Sequence, residues 1–275
     1  MKKFYIVFLL FLFLNSTYSF NKVFAKEITN IQWKKSVAKG KKLFNFRETV
    51  ASPALGKKAW KITLLPKDCG RNNQGDYSDC KNNGKDAVVG HGGGDRARSE
   101  YSSSSKMFTG EKWMSLSIFI PKDFKSVEPV STSLFQIYEW GKTNQQRHPR
   151  MMLRVKRGNL EPRYFAVNGM DSPGWVKKDL KIDDMRGQWT TIIFHANMTK
   201  DPLKGFVKMY VNGELYNDYE GRTGYGGKFY NKFGIYHSWI SRWTEVYGEY
   251  PTQVVYYDNL FRTNSKKKLL KLIQN

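Results

Sequence analysis

The chain has 275 residues, 40% hydrophobic and 15% aromatic, enough to bury a sizeable core without a framework of staples. Its two cysteines exclude a disulfide-dense scaffold, and its formal charge of +22 excludes acidic, solvating chains while drawing polyanionic partners.

Met1-Lys2-Lys3 opens the chain, an apolar run follows from Phe4 to Leu14, and Val23-Phe24-Ala25 precedes Lys26. A charged start, a short apolar stretch and small residues near a cleavage point predict a secretory signal peptide over 1–25, too short to be a membrane span. No later segment reaches transmembrane length. Removal of 1–25 takes three lysines with it and leaves +19. The mature chain is then a secreted or periplasmic domain over 26–265 with a basic tail over 266–275. Export directs the basic charge toward an extracellular polyanion rather than nucleic acid, and no nucleic-acid-binding motif occurs.

Cys69 and Cys80 lie in a polar loop rich in Gly, Asn and Asp. An oxidising compartment predicts that they pair, because no histidine or third cysteine stands near enough to complete a zinc set. His91 follows, inside Gly90-His91-Gly92-Gly93-Gly94. Next, Asp95-Arg96-Ala97-Arg98-Ser99-Glu100-Tyr101, read with strand alternation, puts Arg96, Arg98 and Glu100 on one face. Two guanidiniums and a carboxylate there make either an ion-paired floor with one arginine left to grip a substrate carboxylate, or a structural ladder on an exposed sheet.

Short alternating segments then recur. Residues 113–120 place Met114, Leu116, Ile118 and Ile120 on one face. Residues 134–140 turn Phe135 and Ile137 inward and Gln136, Tyr138 and Trp140 outward, an amide and two aromatic rings suited to sugars. Residues 151–156 set Arg154 and Lys156 away from their apolar neighbours, as cleft lining or a solvated face. His148 lies in the polar loop before them. Strands over 189–195 and 206–211 follow, with His195 expected in the core strand and Asn212-Gly213 closing a tight hairpin.

Residues 230–239 are the most informative. Phe233, Ile235 and Trp239 form an apolar face that includes the side of His237, and Tyr230, Lys232 and Tyr236 form a polar one. Gly234 leaves bare backbone between Lys232 and Tyr236, roughly 13 Å apart at ~3.3 Å per residue, about wide enough for a sugar ring. A last strand covers 254–261. Such spacing, with few helical patterns, predicts an all-β sandwich of two antiparallel sheets in one domain.

Three segments in this order, Arg96-Ala97-Arg98-Ser99-Glu100, Gln136-Ile137-Tyr138 and Tyr230 to Tyr236, resemble the signature strands of jelly-roll polysaccharide lyases, a group that includes alginate lyases, glucuronan lyases and heparin lyase I. Asp68-Cys69 and Val255-Tyr256-Tyr257-Asp258-Asn259 are similar to the heparin lyase I-like family in particular. The resemblance implies a concanavalin A-like β-jelly-roll with a concave substrate cleft. It implies cleavage of a uronic-acid polysaccharide (alginate, glucuronan or heparin-like) by β-elimination, by a monomer without a cofactor, although some members use calcium structurally. By position it implies that Tyr236 is the catalytic tyrosine, with Lys232 four residues before it, and that Gln136 binds the uronate carboxylate with help from Arg98. Arg96, Glu100, Tyr138, Arg154 and Tyr230 would line the substrate site. Lys232 and the arginines would favour the ionised tyrosine. Alginate lyases usually read Gln-Ile-His where this chain has Tyr138, so the base is either His91 or Tyr236 itself.

Two other classes compete. A non-catalytic carbohydrate-binding sandwich for acidic glycans keeps the aromatics and the basic face but needs no Lys–Tyr pair. A laminarinase-like hydrolase needs paired carboxylates, and no Glu-x-Asp-x-x-Glu pattern occurs.

Overall fold

A computed structural model describes residues 29–35, 47–66, 96–165, 171–172, 175–176 and 180–274. Its strands build two sheets in which every strand pairing is antiparallel. One sheet contains β1 (Lys34–Lys35), β4 (Arg96–Ser102), β14 (Lys228–Ser238), β6 (Thr132–Trp140), β7 (His148–Lys156), β8 (Asn159–Phe165) and β9 (Asp171–Ser172), in that spatial order. The other runs β10 (Trp175–Val176), β13 (Glu214–Glu220), β12 (Phe206–Val211), β11 (Trp189–Met198), β5 (Gly110–Phe119), β15 (Gln253–Thr263), β3 (Ala59–Leu64) and β2 (Arg47–Val50). Helices are short: α1 (Ile182–Met185), α2 (Ser241–Tyr247) and α3 (Lys266–Gln274). No helix among the described residues is long and apolar enough to cross a membrane.

The alternation read from the sequence fills the space between the sheets. Phe135 of β6 stacks on Phe194 of β11 at 5.4 Å. Phe233 of β14 meets Trp60 of β3 at 4.9 Å and Tyr257 of β15 at 5.0 Å. Phe135, Ile137, Phe233 and Ile235 are all buried, and each such side chain contributes ~1.5–3 kcal/mol of burial. Asn212 and Gly213 join β12 to β13 with positive φ of 48° and 93°, the backbone a two-residue hairpin requires. Strand β8 was not foreseen. It pairs with β7 through a second such turn, Arg157 and Gly158 at φ of 51° and 73°.

Two expectations fail here. Trp239 does not extend the apolar face of β14. Its φ of 63° breaks the alternation, and its ring is 41% exposed with the Arg242 guanidinium 5.5 Å away. His195 is not a core histidine. Burial on β11 alternates so that Ile192, Phe194 and Ala196 point inward and His195 outward, where it meets Glu111 at 2.6 Å.

Candidate active site

Strand β14 lies between β4 and β6, so three segments far apart in sequence share one surface. Along β6 the register sets Lys232 beside Gln136, Tyr230 beside Tyr138 and Tyr236 beside Ser133. Along β4 it sets Gly234 beside Glu100 and Tyr236 beside Arg98. These side chains occupy the face opposite the core.

They form a connected floor. Gln136 Nε2 donates to Glu100 Oε1 at 2.5 Å. Lys232 Nζ stands 3.8 Å from Glu100 Oε2 and 4.9 Å from the Tyr138 ring centre. Tyr138 and Tyr230 pack at 5.1 Å, and the Arg98 guanidinium lies 5.0 Å from the Tyr236 ring. Of Arg98, Glu100, Gln136, Tyr138, Tyr230, Lys232 and Tyr236, none is more than 9% exposed. That burial decides against a solvated ladder, since charges held so far from water must be paired. Glu100 is engaged by Gln136 and Lys232 from neighbouring strands, whereas both readings of the sequence confine its pairing to the arginines of its own strand. Among the described residues the floor holds two cations, Arg98 and Lys232, and one carboxylate, Glu100.

Burial raises the pKa of Tyr230 strongly, and the neighbouring Tyr138 and Glu100 add to it against Arg98. Tyr230 therefore stays a phenol. Tyr138 donates its hydroxyl to the Arg147 carbonyl at 2.7 Å, which fixes the ring beneath Lys232.

Gly234 has a different purpose from the one its lack of a side chain suggests. At φ 129°, within the bulge of β14 against β6, a Cβ would strike the Ser99 carbonyl oxygen and come within 2.9 Å of Glu100 Cα. The glycine lets β4 approach β14. Its own carbonyl turns inward to accept from Tyr257 Oη at 2.9 Å.

The remaining residues divide. Arg96 starts β4 beside Ser238. Arg154 lies beside Ser133 and is bound to Glu161 at 2.7 Å, so it belongs to the same face but is already committed. Trp140 ends β6, 39% exposed, with the Arg147 guanidinium 5.0 Å over it. His237 is fully buried, hydrogen-bonded to Gln253 Oε1 at 2.6 Å, and its pKa falls to about 4 through burial. His91, Cys69, Cys80 and the segment 1–25 lie outside the described residues.

Two groups were missed or undervalued. Ser133, buried between Tyr236 and Arg154, has no hydrogen-bond partner for its hydroxyl among the described residues; one serine in an alternating strand carries no sequence signal. His148 is not in a loop but opens β7 with an exposed edge. Loss of solvation lowers its pKa, and the charges of Arg150, Arg163 and Arg96 add to this against a hydrogen bond to Pro149. The register of β7 against β6 sets His148 beside Glu139. Nδ1 lies 3.0 Å from the Pro149 carbonyl, which can only accept, so the neutral ring carries its proton on Nδ1 and its basic lone pair on Nε2. Among the described residues no group of three or more His, Cys, Asp or Glu is arranged to hold a metal.

Solved structures share this architecture at low identity. An endo-β-1,4-glucuronan lyase from the fungus Trichoderma reesei superposes with a TM-score of 0.52 and 15% identity, over 82% of this chain and 92% of that one. The alginate lyase PA1167 from Pseudomonas aeruginosa gives 0.51 and 11%, over 85% and 98%. The catalytic domain of a glycoside hydrolase family 131 protein from Coprinopsis cinerea gives 0.51 and 10%, over 85% and 84%, so the fold alone does not choose the chemistry. No curated protein matches by sequence. A family model described as polysaccharide lyase matches residues 28–261, which include all three strands of the floor. The chain therefore belongs to the polysaccharide lyase family.

Proposed function

We propose that this lyase cleaves a uronic-acid-containing anionic polysaccharide by β-elimination on the floor built from β4, β14 and β6. The observation that carries the proposal is the buried set Gln136, Glu100, Lys232, Arg98 and Tyr236 brought together on one polar face. The relatives named as glucuronan and alginate lyases support a uronate substrate. A further alginate lyase was solved as a histidine-and-tyrosine double variant in complex with substrate.

Gln136 and Arg98 would hold the uronate carboxylate and stabilise the enolate-like charge that forms on it. A base removes the proton at C5. The electron pair closes the C4–C5 double bond, the C4–O bond breaks, and Tyr236 gives its proton to the leaving glycosidic oxygen. Lys232, neutralising Glu100 beneath, keeps that carboxylate from repelling the substrate. Arg96, Arg154, Tyr138 and Tyr230 would border the bound sugars. Three groups can supply the base: His91 from the preceding loop, His148 through Nε2, or Tyr236 itself as its phenolate. A leader over 1–25, export, and a bond between Cys69 and Cys80 belong to the same proposal; free thiols in natively exported protein would remove the bond.

The test is ultraviolet absorbance of the unsaturated product over alginate, glucuronan, heparin, heparan sulfate and pectate, with His91→Ala and His148→Ala beside the parent chain. Product from at least one uronate polymer is expected, with loss of ~10²–10⁴-fold in the variant that removes the base. Near-normal rates in both variants assign both proton transfers to Tyr236. Absence of product from every polymer, with binding retained, would leave the non-catalytic module.

A further inference from the structure

On the opposite side of the molecule, the outward face of the eight-stranded sheet carries a second aromatic array. Trp113 of β5 lies parallel to His195 of β11, centroids 3.9 Å apart at 11°. Tyr210 of β12 continues the array 6.3 Å from Trp113, and Phe206 meets His195 edge-on at 4.8 Å. All four rings are partly exposed. Packing of rings across strands stabilises many sheets, but this array also borders a strong charge. Trp113 lies beside Thr263, and the chain then enters α3, where Lys266, Lys267, Lys268 and Lys271 are all exposed. Lys266 Nζ is 5.6 Å from the Trp113 ring. The helix contains no acidic residue and is held down by buried Leu269. Of the carboxylates near the array, Glu111 is engaged by His195 and Asp218 by Lys208, while exposed Glu220 stands beside Phe206 at the end away from α3.

We infer that Trp113, His195, Tyr210 and the lysines of α3 form a second, non-catalytic binding surface for an anionic polysaccharide. The exposed parts of these rings pack against pyranose rings while the lysines meet uronate carboxylates. The surface rests on the proposed polyuronate substrate and gives the basic tail a role. Since it lies on the other sheet from Tyr236, it holds the polymer without blocking the floor, and a chain bound there raises the local concentration of substrate for the site.

The test is retardation of the full chain in gels containing alginate or glucuronan, with turnover on a short oligouronate measured in parallel. Trp113→Leu keeps an apolar side chain but removes the ring, and Lys266→Glu/Lys268→Glu reverses the charge. A control, Lys122→Glu/Lys181→Glu, makes the same charge change at exposed lysines elsewhere. Both test variants should lose roughly two- to tenfold in apparent affinity for the polymer, with oligosaccharide turnover unchanged and the control losing less. Parent-like retardation of Trp113→Leu, an equal loss in the control, or equal retardation by a neutral glucan would overturn the inference. Displacement of the bound polymer by single-stranded RNA at matched charge would assign the surface to nucleic acid and overturn it too. Retardation needs no turnover, so Tyr236→Phe should be retarded like the parent; its catalytic outcome judges the elimination mechanism separately.

Discussion

Tyr236 presents its ring to the Arg98 guanidinium and its strand position to Ser133, so a phenylalanine there keeps every packing contact and removes one hydroxyl. Tyr236→Phe should therefore fold normally and bind polymer, while turnover falls by ~10²–10⁴-fold. A folded variant with ordinary turnover would eliminate this tyrosine as the acid. His237, one residue on, points the other way and has a thermodynamic consequence instead. Burial holds its folded pKa near 4 against 6.5 for the ordinary imidazole. Between those values the unfolded chain binds the proton and the folded chain does not. Stability is thus full above pH 6.5 and is lost as pH falls toward 4, by about 3 kcal/mol in all. Urea unfolding at pH 7 and pH 4.5 should show this slope, and His237→Gln should flatten it.

At the scale of the element, β14 is a strand whose two faces do different jobs, and the bulge at Gly234 makes that compatible with close neighbours on both sides. A methyl group there meets backbone of β4 rather than the end of a flexible side chain, so no rotamer change relieves it. Gly234→Ala should cost roughly 3 kcal/mol through backbone strain and should displace Glu100 from Gln136 and Lys232. A thermal midpoint equal to the parent's would show that the bulge is dispensable. The turn that precedes β14 is anchored in a comparable way. Glu139 at the end of β6, fully buried, accepts from the backbone N–H groups of Tyr225 and Gly227 at 2.8 and 2.7 Å and pairs with Arg150 at 2.6 Å. The entry into the site strand is thereby tied to the strand that carries Gln136.

Across the whole molecule, the formal charge of +22 acts on any polyanion before contact, and its effect falls within a screening length of about 10 Å at 0.1 M salt. Affinity for a uronate polymer should drop steeply between low and moderate salt, while turnover of already bound short oligomers should change little; salt-independent binding would point to a neutral ligand. Much of this protein was legible in its residues. Period-two alternation predicted the strands over 113–120, 134–140 and 206–211 and the inward set Phe135, Ile137, Phe233 and Ile235, because a side chain's face in a strand depends only on parity. Parity also put Arg98, Gln136, Lys232 and Tyr236 on the polar side of their own strands, and that these strands share one site was what the resemblance to jelly-roll lyases implied. What parity cannot carry was decided by the fold. Trp239 left the apolar face because a single left-handed residue ends the alternation; His195 faces outward as the alternation with inward Ile192, Phe194 and Ala196 requires, so its apolar neighbours misled where parity did not. Glu100 came to Gln136 and Lys232 only because β14 lies between β4 and β6. Alternation along one strand is a local property of the backbone; which strands become neighbours, and in what register, is settled by closing the core between the sheets.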